Sequence, residues 1–222
     1  MTHLNRDTQV WTSHEALLLD YESPMTRRDE LGHKFLASTH WPWIGNRTRS
    51  PEGPHTALLA EIFNPVACKI GPGIAENELL ALCERLDPDR VPGRLTLIAR
   101  MGVNRATEQL ARLARAVRVA GHPVIWLIDP MHGNTVNTPG GLKTRFIEDV
   151  TLEVRQAVAA IRSAGRVAAG LHIEATPQLV TECVYDPGQL DLVSECYTTL
   201  CDPRLNPGQA LLVVTEWARC LI

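Results

Sequence analysis

Short apolar runs alternate along the chain with longer segments whose apolar residues recur at helical spacing. This alternation is typical of βα units, in which helices connect parallel strands. Each apolar run ends in polar, charged or glycine-rich residues, so we predict a strand at each run. The six predicted strands cover residues 41–45, 65–70, 95–100, 123–128, 169–173 and 196–201, the last of which also suits a turn.

Helical periodicity is clearest in the segment 146–163. Its apolar residues follow one another at spacings of four, four, four and three: Phe146, Val150, Val154, Val158 and Ile161. Such spacing places them on one face of a helix, which can then pack on a sheet. Further helices are predicted at residues 76–85, 105–120 and 209–222.

The segment 12–22, TSHEALLLDYE, begins with a helix-start signal and continues with apolar residues. We therefore predict a helix here, within a helical lead-in that covers residues 1–40. The chain as a whole is predicted to be α/β with a parallel sheet, in a single domain over residues 1–222.

Composition narrows the class of protein. The chain has 222 residues, 45% of them hydrophobic and 21% charged, which suits a globular domain with a sizeable core. A net charge of -3 and the lack of a basic run with interleaved aromatic residues argue against nucleic-acid binding. No apolar stretch approaches the roughly 18 residues of a membrane span.

The N-terminal segment is polar and lacks the apolar region of a signal peptide, so a cytoplasmic protein is expected. Six cysteines are present without a CxxC pair. In a chain of this kind they are expected to be free thiols rather than disulfides or zinc ligands.

Cations follow several of the predicted strands. In a βα barrel the C-terminal strand ends form one face, where ligands bind. Positive side chains that converge there suit a small anion carrying both phosphate and carboxylate; the alternative for each is an ordinary ion pair at the rim. The candidates are Arg47, Lys69, Arg100 and, in GGLKTR, Lys143 and Arg145.

Three potential metal ligands, His132, Glu174 and Asp202, follow the fourth, fifth and sixth predicted strands. One imidazole and two carboxylates suit Mn, Co, Fe, Zn or Mg. They are far apart in sequence, and acidic strand ends are common in barrels, so spacing alone leaves a metal site open. His172 either supports a ligand by a hydrogen bond or is a core histidine.

A series of motifs carries a family resemblance. WIGNRTR, NPVACKIGP, GRLTLIARMG, HPVIWLIDPMHGNT, GGLKTR, GLHIEAT and CDPRLNPGQAL occur in this order. They resemble the motifs of type II 3-deoxy-D-arabino-heptulosonate 7-phosphate (DAHP) synthases, and TSHEALLLDYE is similar to the segment that precedes them. The resemblance runs from about Val10 to the C-terminus, and DPMHGNT and CDPRLN are its most specific parts.

The resemblance implies a (β/α)8 barrel and a transferase that condenses phosphoenolpyruvate with erythrose 4-phosphate, using a divalent metal such as Mn, Co, Mg or Zn. It implies that Arg47, Lys69 and Arg100 hold phosphoenolpyruvate. It also implies that His132, Glu174 and Asp202 hold the metal. Lys143 and Arg145 are then expected on a loop over the site. The residues expected to be catalytic are Lys69, Arg100, Arg47 and His132. Asn46, also expected at the substrate, stands where the family has a glutamate.

The chain also departs from the family. Family members are about twice as long, and their front half supplies the first two barrel strands, a cysteine that is the fourth metal ligand, and an Arg and a Lys-Pro-Arg segment that bind the substrates. These features are not found here. We therefore expect about six βα units, matching strands 3–8 of the barrel, whose open edges are closed by self-association into a homodimer or by a partner in a hetero-complex.

The expected function is an aldol-type condensation of phosphoenolpyruvate with an aldehyde acceptor. The acceptor is erythrose 4-phosphate, as in the shikimate route to aromatic amino acids, or a compound of a specialised pathway. The alternative is a non-catalytic binding or regulatory subunit, or one subunit of a hetero-complex that completes the barrel.

Overall fold

The computed structural model describes residues 10–103 and 105–221. A six-stranded parallel sheet is its centre, with the strand order β1-β4-β5-β6-β7-β10. The strands of this sheet are β1 (Ser13–Glu15), β4 (Trp41–Ile44), β5 (Val66–Ile70), β6 (Leu95–Ala99), β7 (Ile125–Ile128) and β10 (Ala168–Leu171). Two antiparallel hairpins lie outside it: β2 (Thr26–Arg28) with β3 (Lys34–Leu36), and β8 (Thr135–Asn137) with β9 (Lys143–Arg145).

Helices connect the strands of the sheet. They are α1 (Leu19–Glu22), α2 (Pro54–Glu61), α3 (Glu76–Leu86), α4 (Ala106–Val119), α5 (Ile147–Ser163) and α6 (Pro207–Cys220), with short 3-10 helices at Ser23–Met25 and Pro187–Ser194. The predicted helices at 76–85, 105–120, 146–163 and 209–222 correspond to α3, α4, α5 and α6. Their apolar faces are buried because the side chains recur at helical spacing, as Leu110, Leu113 and Val117 do on α4.

The central strands β5 and β6 are buried along their whole length. Their sequences, VACKI and LTLIA, are nearly continuous apolar runs, which is the pattern of a parallel strand covered on both faces. The strands follow one another in the sheet in chain order. Their C-terminal ends therefore meet at one edge, and the residues after each strand lie close together.

The N-terminal prediction was wrong. Residues 12–22 are not one helix, because Ser13–Glu15 forms β1 and only Leu19–Glu22 is helical. Strand β1 is held by parallel pairing with β4 and by a hydrogen bond from the Ser13 hydroxyl to the Trp41 carbonyl. The rest of the described lead-in is largely the β2-β3 hairpin, so it is not helical, while residues 1–9 lie outside the described residues.

The prediction of a strand at 196–201 was also wrong, because this segment forms turns and bends. The α/β class with six parallel strands is confirmed. Five of the six strands are the predicted ones, β4 to β7 and β10. The sixth is β1 at the N-terminal edge of the sheet, in place of the strand predicted at 196–201. The GGLKTR segment, expected as a loop, contributes β9 to a hairpin.

The two outer strands of the sheet each have one partner. In the described part of the chain, β1 pairs only with β4 and β10 pairs only with β7, so the sheet does not close into a barrel. All six cysteines are free thiols. Among the described residues, no helix has the length and apolar character needed to span a membrane.

Candidate active site

A cleft of about 400 Å³ opens at the C-terminal edge of the sheet. Its wall contains residues that follow successive strands, as expected for the ligand-binding edge of a parallel sheet. Of the predicted site residues, it is lined by Asn46, Arg47, Lys69, Arg100, His132, Lys143 and Asp202. The structure therefore brings together most of the candidates that lie far apart in the sequence.

The three potential metal ligands converge at this cleft. His132 Nε2 lies 3.3 Å from Glu174 Oε1 and 3.9 Å from Asp202 Oδ2. One ligand atom from each residue falls within 4.8 Å of the others, and all three side chains are half-buried. An imidazole nitrogen and two carboxylate oxygens this close together fit a divalent metal ion.

Asp129 orients the imidazole of this group. It is fully buried after β7, and its carboxylate accepts hydrogen bonds from the backbone N–H groups of Met131 and His132. His132 Nδ1 lies 2.7 Å from Asp129 Oδ2. A proton on Nδ1 donates to this carboxylate, and Nε2 on the opposite side of the ring faces Glu174 and Asp202. Sequence reasoning missed Asp129, although DPMHGN places it three residues before His132.

The charges of this cluster are coupled. Burial favours neutral His132, but hydrogen bonds to Asp129 and Glu174 outweigh it and raise the pKa of His132 to about 9. Burial likewise opposes ionisation of Glu174, yet its contacts with His132 and Arg145 lower its pKa to about 2. In the metal-free chain these carboxylates are thus paired with His132 and Arg145, and a metal ion would replace the proton on His132 Nε2.

Lys69 is the most enclosed cation of the cleft, with 6% exposure. Its Nζ lies 2.9 Å from Asp129 Oδ2 and 5.5 Å from the centroid of the Trp43 ring. The ammonium is therefore held between a buried carboxylate and an aromatic face. Asp129 contacts both Lys69 and His132, so it links the cation group to the proposed ligand group.

Arg100 and Asn46 meet above Gly71. Arg100 Nη2 donates to the His132 carbonyl at 2.5 Å. A Cβ at position 71 would lie 3.0 Å from Arg100 Nη1 and 2.9 Å from Asn46 Oδ1, so glycine provides the room for both side chains. Arg47 is exposed at the rim and has no hydrogen-bond or ion-pair partner in the described part of the chain, so its charge is available to a ligand.

Lys143 and Arg145 lie on β9 and behave differently from each other. Lys143 is exposed, and its Nζ lies 2.8 Å from Asp202 Oδ1. Arg145 is fully buried and donates from Nη1 to Glu174 Oε2 at 2.6 Å and to the Pro203 carbonyl. Arg145 thus supports the carboxylate group from behind, and its contact with substrate stays a prediction.

Glu15 lines the cleft and was missed by sequence reasoning. It ends β1, and its carboxylate occupies space that a Cβ at position 45 would take, so Gly45 is required for this approach. A carboxylate therefore borders the cleft even though position 46 is an asparagine. The TSHE sequence carries this carboxylate, but it also fits the start of a helix, so the sequence predicts a helix instead of a strand that ends at the cleft.

His172 packs beside the site as an aromatic ring. It meets Trp43 edge-on, with ring centroids 5.0 Å apart, and lies 6.2 Å from the His132 ring. Burial lowers the pKa of His172 to about 4, so the ring is neutral. These contacts favour the core-histidine interpretation.

Glu153 on α5 joins the loops that carry Arg100 and His132. It is fully buried and accepts hydrogen bonds from the backbone N–H groups of Met101 and Gly102 at 2.9 Å and from Asn134 at 2.6 Å. Burial raises the pKa of Glu153 to about 7, while these donors favour its ionised form. Gly102 and Gly133 approach so closely that a Cβ at 133 would collide with the backbone of 102.

A family profile and two curated relatives all match this chain to the same family of proteins. A sequence profile described as the Class-II DAHP synthetase family matches residues 2–218. The chain is 58% identical over 211 residues to a Pseudomonas fluorescens protein named "Probable phospho-2-dehydro-3-deoxyheptonate aldolase", covering 95% of this chain and 53% of that protein. It is 44% identical over 206 residues to the "Phospho-2-dehydro-3-deoxyheptonate aldolase" of Streptomyces coelicolor, covering 91% of this chain and 46% of the relative.

The chain thus spans about half the length of these curated relatives. A solved structure, the truncated form of 3-deoxy-D-arabino-heptulosonate 7-phosphate synthase from Thermotoga maritima, shares 19% identity with a TM-score of 0.45 over 81% of this chain and 57% of that one.

Proposed function

The chain belongs to the class-II DAHP synthetase family, and from this membership and the cleft geometry we propose that it condenses phosphoenolpyruvate with an aldehyde acceptor. The observation that carries this proposal is that three cations line one cleft together with two of the potential metal ligands, His132 and Asp202, while the third, Glu174, lies beside them. Erythrose 4-phosphate is the acceptor that we propose first. The class of enzyme is then a transferase that forms a carbon–carbon bond.

Lys69, Arg100 and Arg47 are the proposed anchors of phosphoenolpyruvate. Its phosphate and carboxylate carry several negative charges, and all three cations line the cleft. Lys69 is held by Asp129 and Arg100 is held by the His132 carbonyl, so both are oriented before substrate binds. Arginine offers paired donors to an oxyanion and lysine a point charge, which suits a ligand with two different anionic groups.

His132, Glu174 and Asp202 would hold a divalent metal, with Mn, Co, Mg or Zn all compatible with the donors. The fit rests on the ligand atoms lying within 4.8 Å of one another and on the contact between Asp129 and His132 Nδ1, which points Nε2 at the carboxylates. When bound, such an ion supplies Lewis-acid polarisation of a carbonyl oxygen.

The bond changes of the proposed reaction require the cleft to stabilise negative charge. The methylene carbon of phosphoenolpyruvate forms a bond to the aldehyde carbon, whose C=O bond becomes a C–OH group. Water adds to the adjacent carbon, the C–O bond to phosphate breaks, and a ketone remains. The two protons of the water end on the new hydroxyl group and on the released phosphate. Negative charge is carried through every step, and Lys69, Arg100 and Arg47 offset it from fixed positions. Asn46 and Lys143 also line the cleft, and we propose that they contact the substrates.

The open edges of the sheet support self-association. Strands β1 and β10 have unpaired outer edges in the described part of the chain. Exposed apolar side chains include Leu18 and Tyr21, which follow β1 in the chain, and Leu211 on α6, the helix that packs beside β10. Unpaired strand edges invite pairing with another chain, so we propose a homo-oligomer. Sedimentation analysis of the purified chain tests this: a monomer at micromolar concentration contradicts it, and co-purification with a different subunit favours the hetero-complex.

We also propose a cytoplasmic setting, which the free thiols support. The pathway is either aromatic amino acid biosynthesis or a specialised route that uses the same chemistry. A panel of acceptors separates these two, because preference for erythrose 4-phosphate supports the first and preference for another aldehyde supports the second.

Phosphate release tests the activity. The purified chain is incubated with phosphoenolpyruvate, Mn²⁺ or Co²⁺ and each of several aldehydes, with a chelator-treated sample as the control. We expect acceptor-dependent phosphate release that is lost with the chelator and in Arg100→Lys, and kept in Arg112→Lys, a surface variant on α4. No release with any acceptor contradicts the enzyme proposal for this chain and favours a binding subunit.

A further inference from the structure

Asp202 differs from the other two proposed ligands in how it is positioned. His132 follows β7 and Glu174 follows β10, so the sheet places both residues. Asp202 lies between the 3-10 helix that ends at Ser194 and α6, in a segment of turns and bends without a strand. Something other than the sheet must therefore fix this loop, because a metal ligand has to be held at a defined distance from its partners.

The carboxylate of Glu182 lies at the centre of that loop and is fully buried. Its Oε1 accepts from the backbone N–H of Thr198 at 3.1 Å and of Thr199 at 2.8 Å. Its Oε2 accepts from the backbone N–H of Arg204 at 2.8 Å and from the Arg204 Nε at 2.9 Å. The contacts fall on both sides of Asp202 in the chain, so one carboxylate joins the two ends of the short segment that presents it.

Two further contacts complete the arrangement. Arg204 Nη2 donates to Glu182 Oε1 at 2.6 Å, and the Thr198 hydroxyl donates to the same oxygen at 3.1 Å. Burial opposes ionisation of Glu182, but the donors from Arg204 and Thr198 outweigh it and lower the pKa of Glu182 to about 2. All these partners donate hydrogen bonds to the Glu182 oxygens, so they favour the ionised form of its carboxyl group.

Glu182 is also joined to β9. Its carbonyl accepts from the Thr144 hydroxyl at 2.8 Å, and the neighbours of Thr144 contact the same loop, Lys143 at Asp202 and Arg145 at the Pro203 carbonyl. The loop is therefore held against β9 and around Glu182 at the same time. These contacts hold the same segment that carries Asp202, the proposed metal ligand.

We propose that Glu182 is a positioning residue for Asp202: its buried carboxylate folds residues 198–204 into the shape that completes the proposed metal centre. This inference rests on the proposed function. Glu182 does not line the cleft, so its effect is expected to pass through Asp202. A glutamine at this position keeps the size but turns an N–H₂ group toward donors, which a carboxylate does not.

A double-mutant cycle tests the coupling. Mn²⁺ affinity is measured for the unmodified chain, Glu182→Gln, Asp202→Asn and the double variant. Loss of a group that orients a metal ligand typically costs about 10- to 100-fold in affinity, and we expect that loss in Glu182→Gln. In the Asp202→Asn background the same change is expected to cost less than about twofold, because the residue through which it acts is already lost.

An equal loss in both backgrounds overturns the proposal, since it shows that Glu182 acts on the fold in general. Unchanged affinity in Glu182→Gln overturns it too. Glu216→Gln is the matched control, because Glu216 pairs with Arg155 on α5 and does not line the cleft, so this change is expected to leave Mn²⁺ affinity unchanged. Thermal unfolding of each variant shows whether the chain is folded under the conditions of the titration.

Amide hydrogen exchange of the metal-free protein gives an independent readout. The N–H groups of Thr198, Thr199 and Arg204 are expected to lose protection in Glu182→Gln, while amides of the central strand β6 keep theirs. Retained protection at the three amides overturns the proposal. If the unmodified chain takes up no Mn²⁺, the proposed metal centre fails, and the exchange experiment still decides whether Glu182 shapes the loop.

Discussion

Lys143 Nζ lies 2.8 Å from Asp202 Oδ1, so an ammonium group already pairs with one of the three proposed metal ligands. Both groups lie beside the cleft, and Lys143 is exposed while Asp202 is half-buried. The second oxygen, Oδ2, is the one that faces His132. The ion pair therefore leaves one carboxylate oxygen directed at the metal position and partly neutralises the charge that would attract a cation.

Replacing Lys143 is expected to raise metal affinity. In Lys143→Met the carboxylate cluster loses a nearby positive charge, so Mn²⁺ affinity should rise by about two- to fivefold, a small factor because exposed pairs are screened by water. Calorimetric titration at low salt measures it. The control is Lys34→Met, which removes the partly exposed Lys34–Glu61 pair, neither member of which lines the cleft, and should leave Mn²⁺ affinity unchanged. A fall in affinity for Lys143→Met would show that the ammonium positions Asp202.

Replacing Asp129 is expected to weaken both the fold and the metal site. In Asp129→Asn the buried Lys69 ammonium loses its charged partner, which typically costs about 3 to 5 kcal/mol of unfolding free energy. His132 loses the carboxylate that orients it, so Mn²⁺ affinity should fall by about 10- to 100-fold.

Urea unfolding of the double variant Lys69→Met/Asp129→Asn separates these two effects. Removing the ammonium as well should restore much of the stability but not the metal affinity. Equal instability of the single and double variants would mean that the ion pair is not the source of the loss.

Adding one methyl group at Gly133 is expected to separate the loops after β6 and β7. A Cβ at this position would collide with the backbone N and Cα of Gly102, and backbone cannot move aside as a flexible side chain can. Gly133→Ala should lower the unfolding free energy by about 1 to 3 kcal/mol and reduce turnover, since the two loops carry Arg100 and His132. Thermal unfolding and phosphate release measure the two effects.

Gly140→Ala is the matched control for this change. Its added Cβ would meet only the Thr138 hydroxyl at 3.8 Å, and its backbone is not left-handed. It should therefore leave both stability and turnover nearly unchanged. If both alanine variants behave alike, the close approach of the loops is not important.

Glu153 is expected to make stability depend on pH. Its pKa is raised by burial to about 7 from 4.5, so its contribution is fully present below pH 4.5 and is lost as pH rises through about 7. The change over this window is on the order of 3 kcal/mol. Urea unfolding between pH 4.5 and 8 measures it as the difference between the unmodified chain and Glu153→Gln, which cannot ionise. A difference that does not vary with pH would show that the donors from Met101, Gly102 and Asn134 keep Glu153 ionised throughout.

Much of the sheet could be predicted because its strands are marked in the sequence. Strands β5 and β6 are nearly continuous apolar runs, followed by a glycine-rich turn after β5 and by Arg100 after β6. Further along the chain, α5 shows clear helical spacing. The cations at these strand ends could be placed together because parallel strands end at one edge. Strand β1 could not be recognised in this way, because three mostly polar residues carry no alternation and are held by pairing with β4.

The parts that could not be predicted depend on contacts between distant residues. The segment 196–201 is shaped by Glu182, which is far away in the sequence and leaves no periodic pattern. Arg145 was expected over the site but is buried behind it, because its partners Glu174 and Pro203 come from other segments. Asp129 directly follows the predicted strand at 123–128, and only the structure shows that it contacts both Lys69 and His132.

The three proposed ligands come from separate segments of the chain that meet only in the folded state. An unfolded chain offers no such cluster, so a bound ion would favour the native state alone, adding about 2.7 kcal/mol at a concentration 100 times its dissociation constant. The melting temperature would then report free metal in the surrounding solution. In a metal-poor cell, a chain of this family would first lose the stability that the bound ion adds and would be degraded faster, and only then lose reaction rate. Metal supply would therefore set the amount of this protein as well as its activity.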